Sequence, residues 1–445
     1  MSTTSHRIIV SVIGRDRVGI IAGGGSLPLE IARSVVARRG FVHVVMIEGQ
    51  ASGALRSFAH TDASWAELGK AIKAFKRAGV KDIVMVGRMV RPSFRTAKPD
   101  FGFLRSLPAV LRIFRAGGDD AVLRAVISMF ENRGLKVRGV GEVAPELLVS
   151  DGAMTDIAAS ADDQADIAKG FQLIAALGRH DIGQAAVVSQ GRIEAIEGAE
   201  GTDRMIARVG RQRREAKGDP LIRSRGVVVK RPKPGQDLRV DLPAIGPETV
   251  QQATDARLAG IAAMSGNVLA ASRFELISAA ERAGLFVVGM PDTAAAPFEE
   301  QHSIKLTDPD PLVFGKINLA SALKSDVRRG IAIMSTLAQF SVGTAVVIRK
   351  GRVLAIGAHE KALDVIVRAT EAYKPSRKRI GVAFIGHRTP VDEALIEAVA
   401  DAGLEGLIVM FGREDRPQHK GSIVARADAL GLFIAGAPVA ALEPA

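Results

Sequence analysis

The sequence predicts an α/β protein: a first domain of alternating strands and helices around a parallel sheet, followed by two copies of a second α/β domain. Three observations carry that reading. Between Val18 and Val140, apolar runs of strand length alternate with helical apolar stripes. Residues 166–208 line up without gaps on residues 326–368, an offset of 160 positions (326 − 166). The chain of 445 residues is also about three times the roughly 150-residue domain expected on average.

In chain order, the apolar run 18–22 reads as a strand. Gly23, Gly24 and Gly25 break it, Ser26 and Pro28 open a helix, and Leu27, Ile31 and Val35 recur at i, i+4 and i+8 as its apolar stripe. Strand, glycine loop and helix in this order let backbone N–H groups and the helix dipole hold an anion. A second strand is expected over 41–47, then a helix carrying Leu68, Ile72 and Phe75, then a strand over 82–86. This βαβ grammar implies a parallel sheet covered by helices. Residues 121–130 read as helix and 136–140 as strand. The apolar stretch 8–13 is open between an extra strand and an extension over residues 1–16.

The repeat organises the remainder. Gly170 matches Gly330, Gly183 matches Gly343, Gly191-Arg192 matches Gly351-Arg352, and Ala195-Ile196 matches Ala355-Ile356. After a change of register, Gly284-Leu285-Phe286 pairs with Gly431-Leu432-Phe433 and Pro291 with Pro438. The period is far too long for a solenoid, so one domain has been duplicated. The expected domains are 1–148, 149–295 and 296–445, with the last boundary in the polar stretch 294–311. The copies differ in their polar residues. Glu197, Glu200 and Asp203 in the first become Gly357, Glu360 and Leu363 in the second. The run from Lys230 to Pro243 has no counterpart there, and His387 falls opposite Asp241.

Composition narrows the chemistry. The absence of cysteine excludes disulfides, thiolate metal sites, Fe–S clusters and cysteine nucleophiles. No apolar run reaches the ~18 residues of a membrane span, and no cleavable leader is evident, so a cytoplasmic protein is expected. The net charge is +12, but one Trp, one Tyr and no basic-aromatic interleaving argue against nucleic acid. A phosphorylated small molecule or an anionic membrane surface suits the same charge. Eight histidines lack H-x-x-x-H spacing, and neither G-x-S-x-G nor a P-loop occurs, which weakens zinc-hydrolase, esterase and P-loop readings.

Three motifs remain, each with a structural alternative. The Gly23, Gly24, Gly25 loop lacks the third glycine of G-x-G-x-x-G, which is Pro28 here, and is either a tight turn or a phosphate cradle. In an extended chain Asp237, Arg239 and Asp241 share one strand face. Paired carboxylates can hold Mg²⁺ and activate water while Lys230, Lys233 and Arg239 neutralise phosphate; a solvated polar hairpin is the alternative. Glu197, Glu200 and Asp203 recur at threes, placing them along one side of a helix start, where they also suit its dipole. Gly118-Asp119-Asp120 can be a helix N-cap. Arg204, Arg208, Arg211, Arg213, Arg214 and Lys217 read as a solvated basic face.

The run Gly19-Ile20-Ile21-Ala22-Gly23-Gly24-Gly25-Ser26-Leu27-Pro28 is followed by Trp65 through Leu68-Gly69-Lys70, Gly87-Arg88 with Arg91-Pro92, and Gly118-Asp119-Asp120 with Leu123-Arg124. Glu197 through Glu200-Gly201-Thr202-Asp203 comes next, then Lys233-Pro234-Gly235-Gln236-Asp237-Leu238-Arg239-Val240-Asp241-Leu242-Pro243. In this order the motifs resemble the UDP-2,3-diacylglucosamine diphosphatases of lipid A biosynthesis, LpxI type. These are the metal-dependent kind unrelated to the calcineurin-like phosphoesterases of the same step. The resemblance spans residues 17 to 292 or so.

The resemblance implies a Rossmann-like N-terminal domain and a second α/β domain with substrate held between them. It implies Mg²⁺-assisted (or Mn²⁺-assisted) water attack on the pyrophosphate, giving UMP and 2,3-diacylglucosamine 1-phosphate. The essential aspartate of the family's Q-D-x-R-x-D-x-P motif is Asp241 here, with Asp237 as the alternative. Asp237, Glu197, Glu200 and Asp203 become metal-ligand candidates. Lys230, Lys233 and Arg239 would neutralise the diphosphate, Gln236 and Thr202 would bind substrate, and the Gly23, Gly24, Gly25 loop would contact a phosphate or the uridine side. A UDP-linked diacyl sugar, peripheral contact with the inner membrane and no nucleic acid follow as expected partners.

Two departures stand out. Met264 occupies a glutamate position of the family's G-I-A-V-E-A-G run, and Ser272 replaces an acidic residue. Residues 296–445 lie beyond the family pattern and suggest an interface, an intramolecular pseudo-dimer or a homodimer contact. The rival readings are a UDP-sugar or lipid-binding paralogue without turnover, and a nucleotide-dependent oxidoreductase built on the first βαβ unit.

Overall fold

In a computed structural model, the described residues are 16–89, 119–215, 226–292, 311–373, 378–412 and 421–439. The expectations for 8–13, Arg91-Pro92, Gly118, Lys217 and most of the 294–311 boundary lie outside them. The chain divides into two compact units. The first comprises Met1–Leu148 with Gln236–Leu242 and Leu269–Ser272; the second comprises Val149–Gly235, Pro243–Val268 and Arg273–Ala445.

The first unit holds β1 (Arg17–Ala22), β2 (Phe41–Ile47), β3 (Ala59–Ala63), β4 (Asp82–Val86) and β5 (Lys136–Val137). Their order is β3-β2-β1-β4-β5 and every pairing is parallel, as the βαβ grammar predicts. Strand β3 was invisible in the sequence because AHTDA carries no apolar run; it sits at the sheet edge, where polar residues are tolerated. Strand β5 is shorter than expected, since the chain enters a helix at Val140–Val143. Ile72, Phe75, Ile83, Ile127, Phe130 and Val137 form the core on one face, and Val240 packs against it. That contact explains why 236–242 belongs to this unit.

The second unit contains two sheets of the same design. Its first part carries β6 (Gly152–Ala153), β7 (Ala185–Ser189), β8 (Arg192–Ile196), β9 (Val227–Lys230), β10 (Ala244–Ile245) and β11 (Gly260–Met264). After β12 (Leu269–Ala270), which belongs to the first unit, β13 (Phe286–Met290) completes its sheet, in the order β6-β13-β11-β9-β7-β8. The later part carries β14 (Leu312–Val313), β15 (Ala345–Arg349), β16 (Arg352–Ile356), β17 (Val382–Ile385), β18 (Gly406–Phe411) and β19 (Phe433–Pro438). Their order is β14-β19-β18-β17-β15-β16, with the same sequence of parallel and antiparallel pairings. Even the register shift in the β7–β8 hairpin, at Val187/Val188, recurs between β15 and β16 at Val347/Ile348.

Local chemistry explains the repeated features. Each hairpin turns through two residues with positive φ, Gln190-Gly191 and Lys350-Gly351, the conformation a two-residue hairpin turn demands. Buried Asp166 accepts the N–H groups of Gln190 and Gly191, and Asp326 accepts that of Gly351. Burial raises the Asp166 carboxyl above its ordinary range, opposed by those two N–H donors.

The later part is shorter in one place. Sixteen residues separate β9 from the helix Pro247–Asp255, but only seven separate β17 from the helix Glu393–Asp401. The stretch carrying Asp237 and Asp241 is what is missing, so His387 does not replace Asp241 in kind.

Candidate functional site

In the first unit, β1 lies where the strand order reverses: the chain proceeds outward through β2 and β3, then returns to β4 and β5 on the other side. In open α/β sheets, ligands bind outside the C-terminal strand ends at such a switch point. The three glycines follow β1 there. Gly23 N–H donates to Val86 O at 2.9 Å, Gly24 N–H to Arg88 O at 2.9 Å, and Arg88 N–H to Gly24 O at 2.8 Å. A Cβ on Gly23 would stand 2.7 Å from Arg88 O, and one on Gly87, whose φ is +101°, 2.8 Å from the Gly23 carbonyl carbon. The glycines therefore let two backbones cross in contact, and the amides of Gly23 and Gly24 are committed to that crossing. At Gly25, with φ +98°, an added Cβ would meet no atom of the described residues within 4 Å.

Beside this loop, Ser272 N–H donates to both Glu30 carboxylate oxygens, at 3.1 and 3.0 Å, and its hydroxyl lies 3.3 Å from that of Ser26. An acidic side chain in place of Ser272 would stand against the Glu30 carboxylate. Glu30 has no counterpart among the sequence-derived candidates.

The segment Gln236–Leu242 is a turn, not the extended strand that the alternation of Asp237, Arg239 and Asp241 suggested. Val240 and Asp241 N–H both donate to Asp237 O, at 3.2 and 3.1 Å. The Asp237 carboxylate takes a two-pronged grip from Arg239, at 2.9 and 2.7 Å, plus the Arg239 N–H at 3.1 Å. Arg239 holds its carboxyl below the ordinary aspartate range, with Arg124 adding to the effect. Arg239 also reaches Glu131 at 3.1 Å. Gln236 Nε2 bonds Asp241 twice, to its carbonyl at 2.8 Å and to its carboxylate. Within the turn, the Asp237 carboxylate is gripped by Arg239, and the Asp241 carboxylate accepts from Gln236.

In the second unit, Lys230 ends β9 with its side chain buried. Its ammonium donates to Thr202 Oγ1 at 2.9 Å, and that hydroxyl donates to Glu197 Oε1 at 3.1 Å. Gln184 N–H donates to Glu197 Oε2 at 2.9 Å. Burial pushes the Glu197 carboxyl up, opposed mainly by Lys230; burial pushes the Lys230 ammonium down, opposed by Glu197 and Asp203. A cation, a hydroxyl and a carboxylate in one buried chain can grip a phosphate oxygen or pass a proton.

Two expectations require correction here. Glu197 and Glu200 do not share a helix with Asp203, because the helix Thr202–Glu215 begins after them; a loop carries both glutamates. Nor are the arginines of 204–214 all solvated. Arg204, Arg211 and Arg214 are exposed, but Arg208 and Arg213 are buried. Arg213 grips Glu194 at 2.9 Å and two carbonyls at the end of the helix Pro247–Asp255, while Arg208 pairs with Glu200 at 2.9 Å. Lys233 pairs with Asp181. Among the described residues no three of Asp, Glu and His stand together as they would around a metal ion.

Residues 17–147 match the family model of the LpxI N-terminal domain, and residues 150–288 that of the LpxI C-terminal domain. A UDP-2,3-diacylglucosamine pyrophosphatase LpxI of Caulobacter vibrioides is 38% identical over 274 residues, which is 62% of this chain and 97% of that protein. The chain belongs to the LpxI family. Among solved structures, a murein peptide ligase from Psychrobacter arcticus is matched over 95% of this chain and 91% of its own, at 10% identity and a TM-score of 0.19.

Within this LpxI chain, the later sheet offers an internal comparison. The shared offset sets Gly357, Ala362 and Leu363 against Glu197, Thr202 and Asp203. Strand register sets Ile385 against Lys230, since Ala185 pairs with Lys230 and Ala345 with Ile385. Every member of the buried polar chain is apolar or absent there, whereas Asp166, Glu200 and Arg208 persist as Asp326, Glu360 and Arg368. Met264 is buried at the end of β11. Ala263, not Met264, is the partner of Lys230, so by strand alternation Met264 points to the opposite face of the sheet.

Proposed function

We propose that this chain hydrolyses the pyrophosphate bond of UDP-2,3-diacylglucosamine to UMP and 2,3-diacylglucosamine 1-phosphate. The observation that carries the reading is the collinear match to the Caulobacter pyrophosphatase over 97% of its length. A water oxygen forms a bond to one phosphorus, the bridging P–O bond breaks, and the water proton passes to Asp241. The family motif makes Asp241 the proposed acceptor, with Asp237, gripped by Arg239, as the alternative. Lys230 and Thr202 bind diphosphate oxygens, while Gln236 and Arg239 hold the turn that presents Asp241. The glycine loop, at the switch point of the first sheet, is the proposed contact for a phosphate or the uridine.

The proposed cation is Mg²⁺ or Mn²⁺, which supplies charge neutralisation to the diphosphate. Glu197, Glu200, Asp203 and Asp237 are the carboxylates that would hold it, and Glu197, Glu200 and Asp237 also accept from donors within the fold. Magnesium commonly binds through one or two carboxylates and substrate phosphates.

Residues 311–439 are read as a duplicate of the second domain that carries no second active site and stands in for a partner subunit. The excess of basic residues suits work at an anionic inner-membrane surface. UMP release from UDP-2,3-diacylglucosamine, with and without Mg²⁺ and chelator, tests the reading. The native chain should release UMP only with the cation, and Asp241→Ala should fall by at least about a hundredfold. Equal rates in both proteins would sink the mechanism. A binding-only paralogue is the second reading, motivated by Met264 and Ser272, and is favoured if calorimetry finds the UDP-sugar bound without turnover.

A further inference from the structure

Four side chains related by the repeat meet inside the second unit. Arg208 pairs with Glu360 at 2.9 Å and with Glu200 at 2.9 Å, while Arg368 pairs with Glu360 at 2.8 Å and lies 3.9 Å from Glu200. Arg208 also donates to Ile196 O and Arg368 to Ile356 O, again one repeat apart. The four side chains are 3 to 11% exposed, so water contributes little to holding their charges. The arrangement is reciprocal, as in an isologous dimer contact, but both halves belong to one chain.

Charge balance gives the cluster its consequence. Two guanidiniums face two carboxylates, and neutrality needs one of each from either copy. Removing Glu360 alone leaves two buried cations against Glu200, an uncompensated charge the interior does not tolerate. Glu200 lies in the loop between β8 and the helix Thr202–Glu215, with Glu197 at its start and Thr202 at its end. Those two residues form the polar chain that ends on Lys230. The later copy also meets this loop through its backbone: a Cβ on Gly198 would stand 3.6 Å from Leu354 O. The later copy has lost its own polar chain yet keeps Glu360 and Arg368.

We propose that Glu360 and Arg368 are positioning residues for the reaction, through which the later domain fixes the loop that carries Glu197 and Thr202. The inference rests on the proposed diphosphatase reading for its kinetic arm and on the loop alone for its structural arm.

The test uses the full chain. Glu360→Gln should lower kcat for UMP release about tenfold with KM little changed, because misplacement of an anchored loop costs rate more than binding. Hydrogen exchange of amides 197–201 should quicken in the same variant. Glu360→Asp should recover part of the rate, and Arg426→Ala, which breaks an exposed pair with Glu397, should match the native chain. If Glu360→Gln fails to fold, Glu360→Gln with Arg368→Met keeps the cluster neutral around Arg208 and Glu200 and should show both effects. A lower melting temperature with unchanged kcat and unchanged exchange at 197–201 overturns the proposal. If the native chain releases no UMP, the diphosphatase reading fails by itself, and the exchange of 197–201 still decides whether the later domain holds the loop.

Discussion

Lys230, Thr202 and Glu197 are costly residues to bury, and the same chain contains a version of their site without them. Burial lowers the Lys230 ammonium and raises the Glu197 carboxyl. A carboxyl whose native pKa is raised favours the fold while protonated, and that contribution is lost as pH rises through the native value. An ammonium whose native pKa is lowered opposes the fold while charged, and the opposition eases only as pH rises through its native value. Both groups therefore work against stability when charged. Ile385, Gly357 and Ala362 fill the corresponding places without loss of the sheet. Replacing a buried charged set by apolar or neutral groups of similar volume is often neutral or stabilising. The double variant Lys230→Met with Glu197→Gln should thus melt at or above the native temperature while UMP release falls at least about a hundredfold. Thermal unfolding and rate measured on one preparation check both halves, and a variant that is both unstable and active would contradict the assignment.

At the scale of elements, the repeated glycines mark close contacts. Gly170 in the helix Ala161–Gly178 lies on Val229 of β9, and Gly330 in the helix Lys324–Gln339 lies on Phe384 of β17, the equivalent strand position. A Cβ on either glycine would fall on those side chains. Gly330→Ala should cost about 1–3 kcal/mol by overpacking, read as a lower denaturation midpoint, despite the better helix propensity of alanine. The sequence already paired these glycines, and the parallel strands of the first unit were legible as apolar runs between helical stripes. What it could not convey was which polar residues are buried. Arg208 and Arg368 stood at the end of the matched stretch, but helical periodicity says nothing about a facing copy, so Arg208 read as solvated. Asp237, Arg239 and Asp241 alternated like a strand, yet side-chain grips within the segment close it into a turn. Strand β3 escaped because an edge strand need not be apolar.

At the scale of the whole molecule, length, charge and family meet. The length beyond the LpxI match is accounted for by a second sheet of identical strand order. The charge is a property of the entire chain, 60 basic against 48 acidic residues. Among the described residues no helix is long and apolar enough to cross a membrane. A substrate with two acyl chains nevertheless resides in a bilayer, so the proposed reaction requires the chain to visit one. Basic residues near an anionic surface contribute about 1 kcal/mol each, and exposed charges are screened over about 10 Å at 0.1 M salt. Cosedimentation with vesicles should therefore be strong when they contain phosphatidylglycerol, weak when they are wholly zwitterionic, and reversed by raising salt from about 0.05 to 0.5 M. Binding that ignores both lipid charge and salt would point to an apolar contact instead, and no binding to either vesicle would remove the membrane from the proposal.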